Sequence, residues 1–103
     1  MYRIRREDGK TTLYAEGKID TNKAPEFAEA MKEALAGTTE LVIDCSELTY
    51  FSSSALRVVM IAIKTMARQG EMSLINVSEP LYDILETTGF TGVCEISMKE
   101  EPK

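Results

Sequence analysis

At 103 residues the chain can build one hydrophobic core but not two. Its 44% hydrophobic and 28% charged residues are the proportions of a soluble globular protein. The net charge of −5 argues against nonspecific binding to nucleic acid or to an anionic membrane, since both need a basic surface.

Tyr2 to Arg6 alternates as an edge strand, Glu7-Asp8-Gly9-Lys10 is a hairpin turn, and Thr11 to Ala15 returns as a second strand. Glu16 to Asn22 then leaves the strand and delivers a helix, with Thr21 or Asn22 as cap and Pro25 in its first turn. Ala24, Phe27, Ala28, Met31 and Leu35 line one face of that helix, and Gly37 ends it. Leu41 to Asp44 is a short buried strand. The stretch Tyr50-Phe51-Ser52-Ser53-Ser54-Ala55-Leu56 then closes a loop and opens a helix running to Gln69, stopped by Gly70. Met72 to Val77 is a strand, and Ser78-Glu79-Pro80 starts a third helix with Leu81, Ile84, Leu85 and Thr88 on its face. Val93 to Met98 is the last strand. The expected domain spans 1–98, with 99–103 a charged tail. The order predicts a single α/β domain: a mixed sheet of about five strands edged by an antiparallel hairpin, with helices mainly on one face.

Several chemistries are excluded. Without histidine there is no Ser-His-Asp or Cys-His arrangement, and no GxSxG, GxxxxGK[ST] or GxGxxG motif is present. Cys45 and Cys94 lack CxxC spacing and read as reduced, buried, small apolar residues; Met31, Met60, Met66 and Met72 read as core filling. No catalytic residue, metal site or cofactor is expected. The longest apolar run, Val58 to Ile63, is too short for membrane insertion. No basic-then-apolar leader opens the chain, so a cytoplasmic location is expected.

The three serines carry the functional signal. One of them must cap the helix, and its neighbours sit where free N–H groups and the helix dipole favour an anion. If Leu56, Val59, Ile63 and Ala67 face the sheet, Val58 and Ile61 point away beside a basic row of Arg57, Lys64 and Arg68. Apolar residues rimmed by positive charge describe a docking strip for a partner with an acidic patch. Asp20 reads as a cap or Asx-turn residue, and Asp44 as a carboxylate bonding the backbone of Ser46 or Glu47.

Five blocks, Glu16-Gly17-Lys18-Ile19-Asp20, Leu41-Val42-Ile43-Asp44, Tyr50 to Leu56, Asn76-Val77-Ser78 and Thr88-Gly89-Phe90, resemble the STAS domain, and more narrowly the stand-alone bacterial anti-sigma factor antagonists. The resemblance implies a non-enzymatic switch. Such a protein binds an anti-sigma factor that is also a serine kinase, frees a sigma factor, is turned off by serine phosphorylation and is restored by a serine phosphatase. The family pattern of aspartate, serine, serine or threonine, glycine, leucine lays the phosphorylated serine on Ser53, with Ser54 and Ser52 as weaker candidates. It also lays the aspartate on Ser52 and the glycine on Ala55, two departures. The first removes a carboxylate, and the second is expected to put a methyl group where a partner's backbone approaches. The implied partner surface combines Asp20, Ser52, Ser53, Ser54, Arg57, Val58, Ile61 and Lys64. The rival within the resemblance is an unphosphorylated accessory subunit docking the cytoplasmic ATPase of a membrane transporter. Self-association as a weak homodimer is left open.

Overall fold

The structure, a computed structural model, describes residues 2–99. Strands β1 (Tyr2–Glu7), β2 (Lys10–Ile19), β3 (Glu40–Phe51), β4 (Glu71–Val77) and β5 (Glu95–Met98) form one sheet in sequence order. The β1–β2 hairpin is antiparallel and the remaining pairs are parallel. Helices α1 (Ala24–Leu35), α2 (Ser53–Gln69) and α3 (Glu79–Thr87) make the crossovers, as expected for parallel neighbours.

Alternation decides which face is covered. One row of aliphatic residues crosses the whole sheet, with Ile4 opposite Leu13, then Ile43, Leu74 and Ile96. This row joins Phe27 and Met31 of α1, Val59 and Met66 of α2, and Leu81 and Leu85 of α3 in a single core. Phe27 stacks between Tyr2 and Phe51, each ring centroid 5.8 Å away. Among the described residues no helix covers the opposite face, which carries Tyr14 with the Arg3 guanidinium 5.1 Å above its ring.

Several expected boundaries move. β2 does not end at Ala15 but runs to Ile19, with irregular register after Tyr14 and again after Gly17. Gly17, at φ 81°, supplies the left-handed backbone that lets a strand kink and continue. β3 likewise continues past Asp44 to Phe51, because its second half pairs with the extended β2: Glu16 lies opposite Glu47 and Ile19 opposite Phe51. Neither Thr21 nor Asn22 caps α1. Lys23 is the N-cap residue without a side-chain bond, and Asp20 bridges the turn ahead of it. A 3₁₀ turn at Phe90–Gly92 delays the last strand to Glu95. β5 ends at Met98, and the Lys99 N–H beyond it donates to the Val77 carbonyl at 2.8 Å. The remainder of the expected tail, 100–103, lies outside the described residues.

The buried stripe of α2 is also rotated from its expected phase. Ala55, Val59, Ala62 and Met66 face the sheet, Leu56 and Ile63 are half-buried, and Ala67 is exposed. Small alanines sit directly over the strands and let the helix approach, while the larger aliphatics pack along its flanks.

Candidate functional site

The carboxyl ends of the parallel strands gather the helix starts, the edge where open α/β sheets collect their functional loops. Here β2 and β3 finish side by side, and the Ser52 N–H donates to the Ile19 carbonyl at 2.9 Å. That bond fixes Asp20 and the three serines on adjacent chain segments.

Ser52 is the cap. Its backbone is extended, its side chain is buried, and its Oγ accepts from the Ala55 N–H at 3.2 Å. A serine thus performs the N-cap task that an aspartate performs equally well, so the loss of the carboxylate leaves the helix start ordered. Ser53 follows as the first helical residue. It is exposed, and its hydroxyl has no hydrogen-bond partner among the described residues. Ser54 is half-buried behind it. Ala55 corrects a second expectation: fully buried, it directs its methyl group into the core and away from any partner's backbone.

The two carboxylates take the local roles expected of them. Asp20 accepts the Lys23 N–H on Oδ1 at 3.0 Å. Asp44 accepts the Ser46 N–H at 2.9 Å and the Asn76 side-chain amide at 3.3 Å. The second bond holds Asn76 in a left-handed conformation at φ 57°, beyond the last β3–β4 pair at Asp44 and Ile75. Burial pushes the Cys94 thiol up to about 11 and the Cys45 thiol higher still, so neither is a ready thiolate nucleophile.

Along α2 the residues expected to form the strip lie at the surface, and the apolar pair among them lines one side of a groove. Arg57 is exposed one turn from the serines, Val58 is half-buried, and Ile61 is the most exposed large aliphatic among the described residues at 57%. Val58 and Ile61 form one wall of a groove of about 450 Å³ whose other wall is α1, through Ala28, Met31 and Leu35. Lys32 borders it from α1, and Lys64 and Arg68 flank Ile61 and Thr65 on its outer side. The α1 wall escapes a reading of α2 alone. Its signal in the sequence is Leu35, an aliphatic at the margin of the α1 face, with Lys32 one turn before it.

No helix among the described residues is long and apolar enough to cross a membrane. The sequence profile of the STAS domain matches residues 2–101. An anti-sigma-B factor antagonist of Listeria monocytogenes is 32% identical over 101 residues, covering 92% of this chain and 85% of that protein. Among solved structures, an anti-sigma factor antagonist from Mycobacterium paratuberculosis shares the fold with a TM-score of 0.86 at 18% identity, covering 94% of this chain and 84% of that one. A sulfate transporter family protein from Wolinella succinogenes shares it with a TM-score of 0.75 at 13% identity, covering 88% and 78%.

Proposed function

Because the chain belongs to the STAS domain family, we propose that it is an anti-sigma factor antagonist, a binding module that holds an anti-sigma factor with serine-kinase activity and is released by phosphorylation of Ser53. The name borne by its Listeria relative supports the partner class. The observation that carries the switch is the division of labour at the start of α2, where Ser52 caps the helix and leaves the exposed Ser53 hydroxyl unused.

In the proposed step the Ser53 oxygen attacks the γ-phosphorus of ATP, ADP leaves, and the hydroxyl proton passes to a base of the kinase. The product adds a charge of about −1.5 to −2 at the first helical position. In the free domain the helix N-terminus favours that charge. In a complex formed around a neutral hydroxyl the same charge is costly unless a cation of the partner meets it. Asp20, Ser52, Ser54 and Arg57 complete the contact around Ser53, and Val58, Ile61 and Lys64 extend it along α2. A serine phosphatase returns the module to its binding form. The protein works in the cytoplasm, without a cofactor and without contacting nucleic acid.

The test is incubation with the co-encoded serine kinase and ATP, followed by mass mapping. One phosphate is expected on Ser53, lost in Ser53→Ala and retained in Ser54→Ala. Phosphate on Ser52 or Ser54 would refute the site. No phosphate with any co-encoded kinase would favour the transporter-docking alternative, to which the fold of the Wolinella protein also conforms.

A further inference from the structure

We propose that the groove between α1 and α2 seats an acidic amphipathic helix of the partner protein, as a second contact separate from the serine end. The proposal rests on α2 being the partner-facing helix and adds the occupant and its chemistry. Ala28, Met31 and Leu35 on one side and Val58, Ile61 and Thr65 on the other give the groove an apolar floor. Along α2 it runs from Val58 to Gln69, about 16 Å, the length of three helical turns. An open, elongated apolar trough of that length suits a helix offering side chains at i, i+3 or i+4, and i+7.

Charge identifies the occupant. The chain carries 17 acidic against 12 basic residues, yet the 17 residues of α2 contain Arg57, Lys64 and Arg68 and no carboxylate. The charged residues bordering the groove are Lys32, Lys64 and Arg68, all cations. None of the three has an ion-pair partner among the described residues. Unpaired cations beside an apolar trough on an acidic protein are complementary to carboxylates flanking an apolar stripe, and they would repel a basic helix.

The basic border of the groove is also electrically remote from the switch. Lys64 and Arg68, the cations that would meet the helix's carboxylates, lie about 16 and 22 Å along α2 from Ser53, beyond the Debye length of about 8 Å at physiological salt. The groove's own affinity for a helix is therefore little changed when Ser53 becomes charged, and release of the partner comes from the loss of the serine contact.

The probe is a labelled peptide of about 16 residues with leucines at i, i+4 and i+7, glutamates flanking them and alanines elsewhere. Its counterpart has lysine for every glutamate. Titrated into the ¹⁵N-labelled chain, the glutamate peptide should shift the amides of Leu35, Val58, Ile61 and Thr65, with the lysine peptide weaker by about tenfold or more. Lys64→Glu with Arg68→Glu should reverse that preference. Ile61→Gln, at an exposed position that keeps the fold, should weaken binding by about fivefold. Ser53→Asp should bind the peptide within about twofold of the parent. Equal binding of the two peptides, or no shifts up to about 1 mM, overturns the proposal. So does perturbation of these amides by the protein's own concentration alone, which makes a second copy the occupant. No kinase or phosphate enters this assay, so its failure is distinct from a failure of the Ser53 assignment.

Discussion

The two ends of the parallel sheet are built on opposite plans. At the amino-terminal edge of the parallel strands, side chains from distant elements close the loops. Arg6 of β1 donates to the Ala36 carbonyl at 3.0 Å and to the Glu33 carbonyl, tying off the end of α1. Gln69 reaches from the end of α2 to the Leu35 and Thr38 carbonyls at 3.1 and 2.8 Å. The buried Thr38 hydroxyl donates to the Ala34 carbonyl at 2.6 Å, which leaves Thr11 to donate to Thr38 at 2.7 Å. At the serine end the long-range ties run through the Ser52 N–H and the Asp44–Asn76 pair, and the side chains beside the helix start bond locally: Asp20 serves its own turn, Ser52 caps its own helix, and Ser53 serves nothing. One end has its polar groups committed to the fold, and the other keeps a hydroxyl available. A modification switch needs that asymmetry, because the modified residue must be one the fold does not use.

The comparison breaks most severely at Gly70. Its φ of 165° is ordinary extended backbone, so the requirement for glycine is one of space. A Cβ there would stand 1.8 Å from the Thr39 carbonyl oxygen, the same oxygen that accepts the Glu71 N–H at 3.0 Å. Gly70→Ala is expected to cost about 3 kcal/mol, the upper part of the overpacking range, because backbone must move. Calorimetry should record a fall in Tm of well over 10 °C for a domain of this size. A loss within a degree would show the closed end to be pliable.

Next in size is the threonine pair. Thr11 and Thr38 are both about 1% exposed, so Thr38→Val takes the acceptor from the Thr11 hydroxyl proton and the hydroxyl donor from the Ala34 carbonyl, leaving Thr11 the Arg6 guanidinium at 3.4 Å. About 1–3 kcal/mol should be lost, and Thr11→Val should cost less, since Thr38 keeps its own acceptor. The double variant should lose less than the sum of the two, by about 0.5 kcal/mol or more. Strict additivity in urea denaturation would mean the hydroxyls do not act as a unit.

This contrast explains what could be seen in the sequence. Strand and helix order, the hairpin, the serine helix start and the local bonds of Asp20 and Asp44 rest on short-range patterns and were legible from them. Arg6, Gln69 and the Thr11–Thr38 pair act across 27 to 34 positions, and no periodicity announces such bonds. The extra length of β2 and β3 was hidden for a related reason. Gly17 resembles a strand terminator, and Ser46 to Tyr50 is too polar to suggest a strand until each segment has the other to pair with. On α2, apolar spacing counted from Leu56 put Ile63 and Ala67 on the sheet face, whereas the close approach of helix and sheet favours Ala55 and Ala62. The groove between α1 and α2 needed the two helices side by side, a tertiary fact.

At the serine end smaller effects are expected, and they test whether capping and signalling reside on different residues. Ser52→Ala removes the acceptor for the Ala55 N–H and should cost about 1 kcal/mol. Ser52→Asp restores an acceptor, and stability should return to within a few tenths of a kcal/mol of the parent. Because Ser53 keeps its hydroxyl in both variants, phosphate incorporation should follow the Tm only weakly. Abolition of phosphorylation by Ser52→Ala with the fold intact would place the capping residue itself in the switch.

The smallest effect on stability should accompany the largest on binding, at Ser53. Ser53→Asp puts one negative charge at the first position of α2, where the helix N-terminus should favour it by about 0.3 kcal/mol or more. Ser53→Asn matches its shape without the charge and should leave Tm close to the parent's. In the proposed switch the aspartate must weaken the complex with the anti-sigma partner well beyond the asparagine, because only the aspartate brings an unmatched charge into an interface formed around a neutral hydroxyl. In a transporter-docking module the two variants should behave alike, differing from serine only by added bulk. Binding of both, measured by titration calorimetry beside their melting temperatures, separates these outcomes. Equal losses for aspartate and asparagine at unchanged stability would remove the electrostatic switch and leave Ser53 as a contact residue. A loss confined to aspartate, with the free domain slightly stabilised, would mean that the charge acts on the complex and not on the fold.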